Sequence, residues 1–297
     1  MKMRALKLKR DWIHGWLLLM PALVFLFAFT HIPAITTLIN SFFSTPRGRR
    51  SAKFIGLENY DRMVNDPVFW KVLWNNLWFA IGTIPASVGL AIVMALWVNE
   101  KLMGRGFVRM AYFTPTVLPL IAVANIWLFF FTPGFGLFDQ ITGFLFGWPA
   151  SNYLGNPDTA LNAIIVVTVW KEAGFFMIFY LAALQAIPVS LKEAAQIEGA
   201  GRWTIFWRIT FPLLMPTTLF VCVNAVINSF RLVDHIFILT DGGPDNASAL
   251  LLFYIYEVAF RFWETAYGAT LTVALLALLS LLAIGQFFFF DRKVHYK

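Results

Sequence analysis

Residues Ser190–Pro212, SLKEAAQIEGAGRWTIFWRITFP, form a polar, Ala/Gly-bearing insert in a chain that is otherwise overwhelmingly apolar. Pro188 closes the segment before it. Ser190-Leu191-Lys192-Glu193 has the form of a capping box, with Ser190 as N-cap and Glu193 at N3 reaching back to the N-cap amide. A short helix is therefore predicted to begin near Leu191. Gly199 and Gly201 supply backbone freedom for a C-cap and turn, and a second amphipathic stretch runs from Trp203 to Pro212. The predicted unit is a helix, a turn and a helix, outside the bilayer.

The flanking chain is membrane-like. Apolar residues make up 59% and charged residues 13%, against about 25% charged in soluble domains. An all-α integral membrane protein follows. The single cysteine, Cys222, lies in an apolar segment, which excludes an intrachain disulfide and offers no thiolate metal cluster. The net charge of +7 does not point to nucleic acid, because most Lys and Arg residues sit at the ends of apolar segments, where the positive-inside rule places them.

Crossing the hydrocarbon core takes about 20 apolar residues. Six segments meet that length, near 13–42, 71–98, 108–132, 160–186, 214–239 and 267–290. Residues 1–12 are expected to be a cytoplasmic N-terminal segment and 13–297 a single transmembrane domain, with the polar loop at 189–212. The basic start followed by an apolar run imitates a secretory signal. That run is too long for one and lacks a small-residue cleavage site, so it reads as an uncleaved helix.

Basic residues outside the spans, with Arg109 at the very start of the third, set the orientation. Lys2, Arg4, Lys7, Lys9 and Arg10, then Lys101, Arg105 and Arg109, then Lys192, Arg202 and Arg208, then Arg292, Lys293 and Lys297 all fall on one side. Both termini and the 189–212 loop are therefore expected in the cytoplasm. Arg47, Arg49, Arg50, Lys53 and Arg62 on the other side oppose the rule, tempered by Glu58, Asp61 and Asp66. One loop does not outweigh three concordant ones.

The opposite-side connections are long. Residues 133–159 carry Gly and Pro throughout with aromatics between, as in a segment that lies on the membrane or receives a partner, or simply links two helices. Thr240–Asn246 is a dense turn signal, followed by an apolar Leu250–Phe260 suited to a short interfacial helix. No phosphate-binding G-x-x-x-x-G-K-[ST] loop occurs, so any ATP that drives this protein is hydrolysed by another chain. The four histidines are scattered, and neither a metal-ligand set nor a catalytic constellation is visible.

Glu193-Ala194-Ala195, Gly199-Ala200 and Ile209-x-x-Pro212 resemble the EAA loop of permease subunits of bacterial ABC importers, the cytoplasmic element that docks on the ATPase subunit. The likeness departs at Glu198, where Asp is commoner, and at Phe211, where Leu is commoner. Phe54-x-Gly56-Leu57-x-Asn59-Tyr60, Leu184-Gln185-x-Ile187-Pro188, and Gly242-Gly243-Pro244 followed by Tyr254-x-Tyr256-x-x-Ala259-Phe260 resemble the carbohydrate-uptake branch, in particular the maltose-type and glycerol-phosphate-type first permease.

The resemblance implies an ATPase-coupling set of Glu193, Ala194, Ala195, Gly199, Ala200, Arg202 and Pro212. Glu193 would cap the helix and keep the interface polar, Ala194 and Ala195 would allow close approach, and Gly199 would make the turn. It also implies that positions contacting sugar in the maltose-type permease fall on Thr168, Glu172 and Phe175 and, with a one-residue gap near Pro216, on Asn224, Asn228 and Arg231. Residue types differ at most of these places, so position carries over and specificity does not. The chemistry suits a polyhydroxylated ligand: amide and carboxylate groups for hydroxyls, an aromatic face for a sugar ring. Arg231 could hold a phosphate, sulfonate or carboxylate. A second reading stays open, in which Arg231 and Asp234 pair at i, i+3 and Lys171 pairs with a neighbouring carboxylate.

The function implied is that of a non-enzymatic permease subunit in a bacterial inner membrane, forming half of the pathway for a sugar or sugar derivative. Its partners would be a second permease, two ATPase subunits that bind the ATP and Mg, a periplasmic binding protein and membrane lipids; the chain itself would carry no cofactor. An ion-coupled secondary transporter is the alternative, and it would need a coupling-ion site and usually an internal repeat. A membrane enzyme would need the clustered acid, base or metal site that is missing.

Overall fold

The structure is a computed structural model, and it describes residues 2–48, 51–100 and 104–291. Arg49, Arg50, Lys101 and the tail with Arg292, Lys293 and Lys297 lie outside the described residues, as do the side chains of the basic N-terminal cluster. Among the described residues, fourteen α-helices follow one another: α1 (Lys2–Leu26), α2 (Ile32–Asn40), α3 (Glu58–Asn65), α4 (Pro67–Asn99), α5 (Arg105–Val117), α6 (Leu120–Phe130), α7 (Leu137–Phe146), α8 (Ala160–Ala186), α9 (Val189–Ile197), α10 (Arg202–Ile205), α11 (Phe211–Arg231), α12 (Asp234–Leu239), α13 (Leu251–Tyr256) and α14 (Thr265–Asp291). Three π-helical turns, Phe27–His31, Phe206–Thr210 and Glu257–Arg261, join α1 to α2, join α10 to α11 and follow α13.

Among the described residues, five helical stretches are long and apolar enough to cross a membrane: His14–Asn40, Pro67–Asn99, Ala160–Ala186, Arg202–Arg231 and Thr265–Gln286. The segment expected to cross at 108–132 is instead two helices, α5 and α6, bent by 102°. Prolines account for the break. Pro119 has no N–H and biases Leu118 away from helical angles, and Leu118 is extended at φ −69°, ψ 135°.

The segment expected at 214–239 also differs. It starts earlier, because α10, the π turn and α11 run on continuously from Arg202, and it stops at Arg231, where Leu232 turns extended. Pro212 does not end a separate helix. The π turn just before it, with the Phe211 amide bonded back to Phe206, carries the chain past a residue that can donate no helical hydrogen bond.

The chain divides into two compact units. One comprises residues 1–65 and 255–276. Its first span, His14–Asn40, has no buried stretch. Here the Asn59 amide donates to the Ser41 and Phe43 carbonyls at 2.9 Å each, the Tyr60 hydroxyl meets Ser41 Oγ at 2.7 Å, and Phe43 bridges to Phe54. These contacts give the Phe54–Tyr60 motif its structural reason. The Arg62 guanidinium pairs with Glu264 and lies 4.1 Å over the Tyr267 ring.

The other unit comprises 66–254 and 277–297. Its core is α4, α8 and α11, packed through Ala91, Ala95, Ala173, Phe176, Tyr180 and Val221. Small residues at these crossings let apolar helices approach closely where lipid provides no hydrophobic drive between them. The loop after α12 is stapled to α4. Asn75 donates to the Asn246 and Ala249 carbonyls at 2.8 and 2.9 Å, and Asn76 accepts from the Leu251 amide at 2.7 Å while donating to the Ser229 carbonyl at 3.1 Å.

Candidate coupling loop and translocation face

The 189–212 loop holds the predicted first helix and turn, but its second helix runs on into α11 instead of ending at Pro212, and α9 is not started by a capping box. It begins at Val189 with Pro188 as N-cap, and no side chain caps it. The Pro188 carbonyl accepts from the Leu191 amide at 3.2 Å, which opens the helix one residue before Ser190 can act as its cap. Glu193 therefore does not cap this helix, and its exposed carboxylate keeps the surface of α9 polar there.

The C-terminal end of α9 is built as the glycine spacing requires. Gly199 is left-handed at φ +82°. The Ala200 amide bonds the Ala195 carbonyl at 2.9 Å and the Gly199 amide the Gln196 carbonyl at 3.0 Å. This is a Schellman motif, with glycine at the one position whose backbone penalises a Cβ. Gly201, in contrast, is extended at φ −68°. Glu193, Ala194 and Arg202 are exposed, Ala195 and Ala200 half-buried. Val189, Leu191 and Ile197 are 66%, 44% and 87% exposed, so α9 presents apolar surface alongside its charges.

Where α8 meets α11, the structure brings Glu172 and Asn228 together: the amide of Asn228 on α11 donates to Glu172 Oε2 on α8 at 2.8 Å. Thr168, one turn earlier on α8, is buried, bonds the Ile164 carbonyl and lies 3.4 Å from His235 Nε2. Phe175 is half-buried and edge-on to Phe179 at 5.2 Å. Asn224 donates to the Phe220 carbonyl of its own helix at 2.7 Å.

Arg231 is not joined to this group. It is the exposed last residue of α11, with no hydrogen bond or ion pair to the described residues. Nor does it pair with Asp234, because the extended Leu232 and the non-helical Val233 lie between them and remove the i, i+3 geometry of a continuous helix.

Lys171 does not pair with a carboxylate either. Its ammonium donates to the Pro115 and Leu118 carbonyls at 3.0 and 2.7 Å, at the α5–α6 break. His235, fully buried with Nδ1 unpartnered and its ring stacked on Phe79 at 6.0 Å, and the Asn75-Asn76 pair were not marked by any sequence motif. The only available signal was their position at the ends of apolar runs.

An all-α bundle with five or six apolar crossings and an exposed, Schellman-capped helix between two of them is the architecture of an importer permease. The chain belongs to the family of binding-protein-dependent transport system inner membrane components, which matches residues 87–296. It is thus a multi-pass inner-membrane protein of ABC transport systems, and the EAA motif is typical of its family. It is 34% identical over 286 residues to the lactose transport system permease protein LacF of Rhizobium radiobacter, covering 93% of each chain. It is 32% identical to the sulfoquinovosyl glycerol transport system permease protein SmoG of Agrobacterium fabrum, covering 88% of this chain and 85% of that one. Its fold matches the crystal structure of a bacterial ABC transporter involved in the import of the acidic polysaccharide alginate, with a TM-score of 0.85 at 23% identity, over 97% of this chain and 98% of that one.

Proposed function

We propose that this chain is one of two permease subunits of an ATP-driven importer and forms half of the pathway for a sugar or sugar derivative. Six crossings, counting α5–α6 as one, with both termini and α9 in the cytoplasm, complete the reading. A second permease closes the pore, a binding protein delivers substrate, and two ATPases dock beneath the coupling loops. ATP-driven closure of the ATPases carries the docked helices together and rocks the bundles between inward- and outward-facing packings.

Relatives named for sugar uptake support the substrate class, and the half-buried Glu172–Asn228 pair with Phe175 offers hydroxyl and ring contacts for it, whereas the buried Thr168 is committed to Ile164 and His235. An anionic derivative fits the uncommitted guanidinium of Arg231, and one relative is named for a sulfonated sugar. Arg231→Ala tests that point, since unchanged transport removes its basis.

The observation that carries the coupling reading is α9 itself: an exposed helix with apolar side chains uncovered, turned by Gly199 and set directly between α8 and α11. Gly199→Val places a β-branched side chain at left-handed φ, a conformation costing about 1–2 kcal/mol for an L residue. Insertion and assembly are expected to persist while binding-protein-stimulated ATP hydrolysis no longer drives uptake. Normal uptake in that variant overturns the coupling role. Co-purification of an ATPase chain with the wild-type protein separates this reading from an ion-coupled transporter.

A further inference from the structure

We infer that Lys171 is a positioning residue that ties the broken third span to α8, so that the α5–α6 break and the coupling loop move as one body. Pro115 and Pro119 create the need for such a tie. In an α-helix the carbonyl of residue i is paired by the amide of residue i+4. For Pro115 that partner would be Pro119, which has no amide hydrogen. The Pro115 carbonyl is therefore orphaned by the sequence, whatever the helix does. Leu118, in the extended link, turns its carbonyl out of the helical ladder as well.

Within the hydrocarbon layer a break is tolerated only where protein or a water-filled cavity supplies the partners, and Pro115 is buried in protein. Lys171 supplies both, at 3.0 and 2.7 Å, and places a positive charge at the carbonyl end of α5, where the helix dipole favours it.

A second observation locates the same contact independently. Gly174 is one turn further along α8, on the face that carries Lys171. A Cβ built there would lie 2.1 Å from the Tyr112 carbonyl and 3.2 Å from Thr116 Oγ1. The α5 backbone is thus seated directly on α8, with glycine at the closest approach and the ammonium at the break.

The adjacent Glu172 points to a different helix and holds Asn228 of α11. Lys171 and Glu172 together fasten α8 to the α5–α6 break and to α11, and α8 runs through Ile187 and Pro188 into α9. A displacement of α9 therefore reaches the α5–α6 break through one helix and one side chain. This consequence for transport rests on the coupling reading above; the clasp itself does not.

The test uses the assembled importer in lipid, in a Cys222→Ser background. Spin labels at Met110 and Ile121, exposed positions on either side of the break, report the bend; labels at Met110 and Val166 report whether α5 follows α8. Lys171→Met is expected to broaden both distance distributions and lower uptake about tenfold or more, the scale of one lost charge-assisted hydrogen bond. Lys171→Arg restores both. Lys171→Met/Pro119→Ala gives Pro115 its missing amide and is expected to return a single, straighter Met110–Ile121 distribution.

Unchanged distances in Lys171→Met overturn the clasp. Broadened distances with full uptake overturn its part in transport. A double variant indistinguishable from Lys171→Met overturns the orphaned-carbonyl argument. Because the distances are read without ATP turnover, failure of the clasp is distinct from failure of coupling at Gly199.

Discussion

Asn228 and Glu172 depend on one another because of where they sit. A half-buried carboxylate among apolar helices needs a donor, and Asn228 is the donor it has. Truncation to Asn228→Ala leaves that carboxylate unsatisfied, at about 1–3 kcal/mol. Glu172→Gln/Asn228→Ala removes the charge as well and is expected to recover part of the loss. Thermal denaturation of the purified protein in detergent checks both, and equal melting temperatures for wild type and Asn228→Ala would contradict the bond's importance. At this scale the polar positions were legible in the sequence, since charges inside apolar runs stand out. Their partners were not. Lys171 beside Glu172 suggests an ion pair, yet the ammonium serves carbonyls more than 50 residues away.

Among the elements, α4 is a stapling post as well as a span. Asn76 holds the Leu251 amide and the Ser229 carbonyl at once, and Asn75 holds two carbonyls of the 246–249 turn. Lys71 and Asp66 extend the row to Asp245 and the Tyr254 hydroxyl, at 3.0 and 2.6 Å. Asn76→Ala strands two buried backbone groups, at about 1–3 kcal/mol each. It is expected to make the 240–250 segment protease-sensitive in membranes while the spans stay intact. An unchanged cleavage pattern would refute the staple. The existence and type of the spans followed from apolar run length, but the α5–α6 break did not, since a single span was expected at 108–132; Pro115 and Pro119, four residues apart, are the local signal that went with it. The end of α11 at Arg231 did not follow, because Leu232 and Val233 carry no breaker; tertiary packing sets that boundary.

For the whole molecule, the expected orientation yields a direct measurement. In a Cys222→Ser background, a cysteine replacing the exposed Glu198 should react with a membrane-impermeant thiol reagent only after the cytoplasmic face is opened. A cysteine replacing Asp158, exposed just before α8, should react in intact cells. The reverse pattern would invert the topology. By itself the sequence determined that the chain is a helical membrane protein of an importer family, with its EAA motif between the fourth and fifth apolar runs. Those properties are written in composition, run length and a motif of fixed spacing, all local to the chain. Only the tertiary structure decided that α9 starts without a capping box, that Arg231 stands apart from Glu172 and Asn228, and that Lys171 completes a helix broken elsewhere. Each depends on which distant backbone group meets a side chain, and in a membrane interior a polar group takes the partner that packing brings to it.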